Sequence, residues 1–203
     1  QLEQAKYILG KKAQGAKFIA YFQDFTNTYG AVSRLEPLFL AAMEPDDVVA
    51  LSIATRPDCL PEGILRMLAR LRAKKPVFVE LGLQTIHEAT AHYIRRGYPL
   101  SVFDDAVQKL HALDIEVIAH QILGLPGETA VMMSETARHL GRVHVDGVKL
   151  HLLHVLRGTD LAREYADGRI QMLELDAYID ILEQCLAVLP PDVVIHRLTG
   201  DGA

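Results

Sequence analysis

Val77-Phe78-Val79-Glu80-Leu81-Gly82-Leu83-Gln84 is the stretch on which the reading of this chain turns. From Val77 to Leu83 it is apolar except for Glu80, and it is short. A strand with one wet face alternates apolar and polar residues, whereas a nearly continuous apolar run is expected where helices cover both faces of a parallel sheet. Working outward, runs of the same kind recur at Lys17–Phe22, Val48–Ala54, Val117–Leu123, Gly147–Leu153 and Val193–His196. Six strands are therefore expected. Helical periodicity fills the gaps. Pro61 to Ala73 opens with a proline, which suits a first helical turn, and places Ile64, Leu65, Leu68 and Leu71 on one face with Arg66, Arg70 and Arg72 largely outside it. Leu35–Met43, Ser101–Ala112 (with Ser101 as N-cap), Thr129–Val143 and Leu173–Leu189 read the same way, and an opening helix is expected over Leu2–Ala13.

Strands alternating with helices imply right-handed βαβ units. A closed eight-unit barrel usually takes about 250 residues. The 203 residues here suggest a partial or truncated barrel, with an open doubly wound sheet as the alternative. Half of the residues are hydrophobic, enough to bury one sizeable core, and a single domain is expected. The formal charge of −5 is spread over interleaved acids and bases, so composition gives no field that would draw in a phosphate backbone. No apolar run has the length of a bilayer span and no signal-like segment opens the chain, which points to a cytoplasmic protein with no membrane partner. Gln1 at the start and Asp201-Gly202-Ala203 just after a strand-like run suggest a segment of a longer protein. Cys59 and Cys185 have no metal-ligand spacing and fit a reducing compartment.

In parallel α/β folds the C-terminal strand ends and the loops after them carry function. The first run leads into Gln23, Asp24, Thr26, Asn27 and Thr28; the second ends in Thr55-Arg56-Pro57-Asp58. The third carries Glu80 and Gln84, the fourth His120 and Gln121, the fifth Lys149, His151 and His154, and the sixth His196 and Arg197. A carboxylate inside an apolar strand costs several kcal/mol unless it is paired. Glu80 therefore needs a partner such as Arg56 or a ligand hydroxyl. In Gly124-Leu125-Pro126-Gly127-Glu128, two glycines free to take positive φ and a stiffening proline would let the backbone approach a flat ligand. No P-loop, GxSxG elbow or HExxH helix is present.

The ordered set Thr55-Arg56-Pro57-Asp58, Val79-Glu80-Leu81-Gly82-Leu83-Gln84, Arg95-Arg96-Gly97 and Gly124-Leu125-Pro126-Gly127-Glu128 resembles the radical S-adenosylmethionine (SAM) superfamily. The nearest branches are those of oxygen-independent coproporphyrinogen oxidase and the elongator catalytic subunit. The segments Tyr21–Tyr29 and Ile195–Thr199 are similar to a bacterial subgroup described as Fe–S oxidoreductases. The resemblance implies a (β/α)6 partial TIM-like barrel spanning 1–203 as a core domain that lacks the first strand and cluster loop. It also implies a [4Fe–4S] cluster that cleaves SAM to a 5′-deoxyadenosyl radical for hydrogen abstraction. By the same resemblance Gln84, Arg96, His120, Thr26, Thr55, Glu80 and Ile122 bind SAM, with Arg96 toward its carboxylate; Lys149, His151 and His154, expected across the barrel mouth from these positions, are candidates for facing the substrate. An electron donor such as flavodoxin or ferredoxin and a small-molecule or tRNA substrate are the implied partners. The CxxxCxxC motif of the family does not occur here, so the cluster ligands are expected upstream of Gln1. Two other readings stand beside this one: a metal-dependent hydrolase using His120, His151, His154 or His196, and a non-catalytic nucleotide- or RNA-binding scaffold.

Overall fold

All six expected strands form, and each keeps its expected place to within a residue or two. The computed structural model describes residues 17–199, so the helix expected over Leu2–Ala13 lies outside the described residues. Along the described chain run β1 (Phe18–Phe22), α1 (Val32–Met43), β2 (Val48–Thr55), a 3₁₀ turn (Pro57–Cys59), α2 (Glu62–Arg72), β3 (Val77–Gln84) and α3 (Glu88–Tyr93). There follow α4 (Leu100–His111), β4 (Glu116–Leu123), α5 (Ala130–Arg142), β5 (Gly147–Leu152), α6 (Asp160–Ala166), α7 (Leu175–Val188) and β6 (Val194–Arg197).

The strands lie in one sheet in the order β1-β2-β3-β4-β5-β6, with parallel pairing in β1·β2, β2·β3, β4·β5 and β5·β6. A doubly wound sheet reverses its strand order at a switch point. Here spatial order follows chain order throughout, so each βα unit adds on the same side. The fold is the α/β partial TIM-like barrel class.

The chain divides into two compact units. In the first, Gln1–Leu81 with Asp105–Val117, the register sets Leu51 against Val77, Ile53 against Val79 and Thr55 against Leu81. Leu51, Ile53, Val77, Val79 and Leu81 are all buried. Helix α2 turns Ile64, Leu65, Met67, Leu68 and Leu71 inward. Side chains of this size stabilise by roughly 1.5–3 kcal/mol each when fully buried. Pro61 stands at its N-cap with φ −65°, and on its outer face Arg70 forks Glu36 of α1 at 2.7 and 2.8 Å.

The second unit comprises Gly82–Asp104 and Ile118–Ala203. Its β4·β5 ladder pairs Ile118 with Gly147, His120 with Lys149 and Ile122 with His151. Helix α5 begins where Thr129 Oγ1 accepts from Met132 N–H (3.3 Å), and it packs on α7, which buries Tyr178, Ile181 and Cys185.

Three details differ from the sequence reading. Ser101 lies inside α4, which starts at Leu100; the Leu100 N–H donates instead to Glu88 Oε1 at 2.9 Å, so a carboxylate from α3 satisfies it. Continuous burial fails at the two edge strands: Ile19 and Tyr21 of β1 and Val194 and Ile195 of β6 are exposed, because an edge has a neighbour on one side only. The short helices α3 and α6, of 6 and 7 residues, were not anticipated; so few turns carry little periodicity. No helix among the described residues is long and apolar enough to cross a membrane.

Candidate functional site

In the first unit the loop after β1 is tied to the end of β2. The Asn27 side-chain amide donates to the carbonyls of Phe22 (3.0 Å) and Ala54 (2.9 Å). The Thr28 hydroxyl donates to the Cys59 carbonyl (2.6 Å), which leaves it to accept from Thr55 Oγ1, also 2.6 Å away. Thr55 is thus held by Thr28, and half-buried Thr26 follows Phe25, a non-glycine residue with φ 63° that is 97% exposed.

Glu80 is buried on the face it shares with Tyr21 and Ser52, because Tyr21 pairs with Ser52 and Ala54 with Glu80. Tyr21 OH donates to Oε2 at 2.9 Å and Ser52 Oγ to Oε1 at 2.7 Å. Both carboxylate oxygens are therefore met by hydroxyls of the protein itself. Arg56, the partner expected from sequence, forks Asp58 at 2.9 and 2.7 Å and holds that carboxyl below the usual aspartate range. Ser52 was missed although it carried the same signal as Glu80, a polar residue within an apolar strand.

In the second unit β3 ends at Gln84 in the left-handed region, φ 67°. A non-glycine residue there is uncommon and is a frequent mark of functional loops. Its amide folds back over Gly82, where a β-carbon would stand 2.6 Å from Gln84 Nε2, and Tyr98 OH donates to the Gly82 carbonyl. The Arg96 guanidinium is buried beneath this turn. Nε donates to the Tyr98 carbonyl (2.9 Å), Nη1 to those of Thr85 (2.5 Å) and Leu83 (3.4 Å), and Nη2 pairs with Glu88 (3.1 Å). Gln84 and Arg96 are thus brought into one segment, with the arginine gripping the backbone on both sides of the glutamine.

The register of β4 and β5 places His120, Ile122, Lys149 and His151 on one face of that ladder, with the His120 and His151 rings 5.1 Å apart. Two expected companions are elsewhere. His154 is exposed and lies two residues beyond the end of β5. His196 packs on Gly147, where a β-carbon would meet its ring at 2.6 Å, because the short β6 pairs with the first half of β5. Four strand residues, roughly 13 Å at about 3.3 Å each, separate Gly147 from His151. The histidines of the hydrolase reading therefore do not converge, and among the described residues no group of three or more His, Cys, Asp or Glu could hold a metal ion.

The Gly124–Glu128 loop takes the conformation its glycines allow, with φ 85° at Gly124 and 84° at Gly127. With Met133 and the segment Arg169–Leu173 it lines a pocket of about 300 Å³. Glu128 Oε1 accepts from Thr85 Oγ1 at 2.5 Å, and burial pushes the Glu128 carboxyl above its ordinary range.

These residues suit one of the two implied cofactors. Three thiolates are what a [4Fe–4S] cluster of this kind requires, and the sequence holds only Cys59 and the buried Cys185, whose thiol burial pushes up to about 11. The cluster does not fit on these 203 residues. SAM needs a paired donor and acceptor for an amino-acid end and a part-apolar surface for an adenosyl end. The Gln84 amide, in the space that Gly82 leaves open, offers the first, and the face carrying Ile122 with the two imidazoles offers the second.

A family model described as Radical SAM superfamily matches residues 2–140, and one described as Radical_SAM C-terminal domain matches 145–203. The uncharacterized protein YtqA of Bacillus subtilis is 43% identical over 202 residues, which cover 100% of this chain and 63% of that protein. Elp3 of the archaeon Methanocaldococcus infernus, solved with an N-terminal deletion, superposes with a TM-score of 0.82 at 20% identity, covering 99% of this chain and 51% of that one. Coproporphyrinogen III oxidase (HemN) of Escherichia coli, whose description calls it a radical SAM enzyme, gives 0.65 at 17% identity, covering 83% and 39%. The two solved structures share the fold. The chain spans less than two thirds of the length of YtqA.

Proposed function

This chain belongs to the radical SAM superfamily, a family whose cofactors are SAM and a [4Fe–4S] cluster, and from that premise we propose that it is the SAM-binding core of a radical SAM enzyme whose cluster is carried on cysteines outside these 203 residues. When bound and reduced, SAM supplies the hydrogen-abstracting power of such enzymes. This chain's own residues bind and orient it. A one-electron donor protein of the flavodoxin or ferredoxin kind and a small-molecule or tRNA substrate belong to the same proposal.

The observation that carries the reading is Gln84, an amide held on left-handed backbone at the last residue of a strand and seated over a glycine. It can accept from an α-ammonium and donate to an α-carboxylate. In this reading Arg96 serves by fixing the turn, since its guanidinium is committed to three carbonyls and Glu88. Within the second unit, His120 and Ile122 belong to the proposed SAM site with Gln84, and Lys149, His151 and exposed His154 lie toward the substrate.

Titration calorimetry of the 203-residue chain with SAM tests the reading. One SAM per chain is expected, with Gln84→Ala weakening binding about tenfold, the loss of one hydrogen bond to a charged group, while the circular dichroism spectrum stays the same. No heat of binding from the unmodified chain, or an affinity unchanged in Gln84→Ala, would overturn it.

A further inference from the structure

The turn that presents Gln84 is gripped from two sides. Its backbone closes with Thr85 N–H donating to the Leu83 carbonyl at 2.9 Å, a tight turn centred on Gln84. Arg96 takes the Thr85 carbonyl from beneath, as described. The other grip comes from a different loop. Thr85, fully buried, donates its hydroxyl to Glu128 Oε1, and its Oγ1 in turn accepts from the His87 N–H at 3.1 Å. The Thr90 hydroxyl also acts on the Glu128 carboxyl, opposing the effect of burial. Glu128 reaches this position because its own N–H donates to the Leu125 carbonyl (3.1 Å), closing the turn that positive φ at Gly127 permits.

We propose that Glu128 is a positioning residue for SAM: by holding the Thr85 hydroxyl it fixes the left-handed turn at Gln84, so the loop after β4 sets the aim of the amide that ends β3. This rests on the reading that Gln84 contacts SAM. Three features carry it. The carboxylate takes the hydroxyl of buried Thr85, the residue directly after Gln84. A left-handed non-glycine residue persists only where its surroundings over-determine it. The hydroxyls of Thr85 and Thr90 and nearby His87 hold the Glu128 carboxyl toward ionisation against the larger upward push of burial. The grip transmits position, not chemistry, because no Glu128 atom needs to touch the ligand.

The test compares the unmodified chain with Glu128→Ala, Glu128→Gln, Thr85→Val and the double variant Glu128→Ala/Thr85→Val. SAM affinity is read by calorimetry, and backbone hydrogen exchange at residues 84–91 is read without SAM. Glu128→Ala and Thr85→Val should each weaken SAM binding about tenfold, from the loss of a charge-assisted hydrogen bond. The double variant should be no weaker than either single one, because both remove the same contact. Glu128→Gln, whose amide oxygen still accepts, should recover most of the affinity, and exchange at 84–91 should quicken in Glu128→Ala and Thr85→Val but not in Glu128→Gln. Additive losses, unchanged affinity in Thr85→Val, or unchanged exchange would each overturn the proposal. If the unmodified chain binds no SAM, the proposed function fails by itself, and the exchange comparison, which needs no ligand, still decides whether Glu128 holds the turn. Should Glu128→Ala fail to fold, Thr85→Val against Glu128→Gln carries the same comparison.

Discussion

Glu80 and Glu128 show how differently two carboxylates can be housed in one α/β chain. Glu80 lies within a strand and takes one hydroxyl on each oxygen, from Tyr21 and Ser52. Glu128 lies at a loop end, where burial dominates and raises its pKa from the ordinary 4.5. A carboxyl with a raised folded-state pKa binds its proton more tightly in the folded chain, so its contribution to stability is greatest on the acid side. Stability then falls as pH rises from about 4.5 through the folded-state value. Urea melts of the unmodified chain and of Glu128→Gln between pH 4.5 and 7 should show a downward slope in the first that is shallower in the second. Parallel curves would mean that Glu128 titrates alike in the folded and unfolded chain. The need for a partner at Glu80 was legible in the sequence, because a charge in an apolar run demands one. Which groups supply it was not, since Tyr21 and Ser52 stand 59 and 28 residues away in the chain and meet it through strand register.

Among the elements, strands were easier to read than helix ends. An apolar run of six to eight residues is a large signal, but a helix terminus turns on a single hydrogen bond. Thr129 was read as the start of its helix and does cap α5, accepting from Met132 N–H. Thr129→Ala should cost about 1 kcal/mol, the usual price of a lost N-cap, measured as a shift in the urea midpoint at constant m-value. A loss below about 0.3 kcal/mol would mean that the Gly124–Glu128 loop starts the helix without it. Ser101 misled because a serine before an apolar period looks like a cap, whereas the carboxylate that meets the α4 terminus comes from Glu88, twelve residues earlier than Leu100. His196 misled for a related reason: its strand pairs with the beginning of β5, not with its end.

At the scale of the molecule, charge bears on the choice of partner. With a formal charge of −5 and a sequence pI near 6.0, the chain has no net attraction for a polyanion at neutral pH. It should pass through a heparin column at pH 7.5 and 0.15 M salt. Retention there would point to a local basic surface and strengthen the RNA-binding reading. By itself the sequence determined that parallel strands alternate with helices, that ionisable groups gather at strand ends, and which family the chain resembles. These are properties of short windows: apolar runs, turn residues and ordered motifs. Tertiary structure alone decided that the strands lie in chain order, that the chain divides into two compact units, that Gln84 adopts a left-handed turn gripped by Arg96 and Thr85, and that His120 shares a face with His151 while His196 does not join them. Each of these depends on register and on backbone angles set by residues far apart in the chain, and no local pattern encodes them.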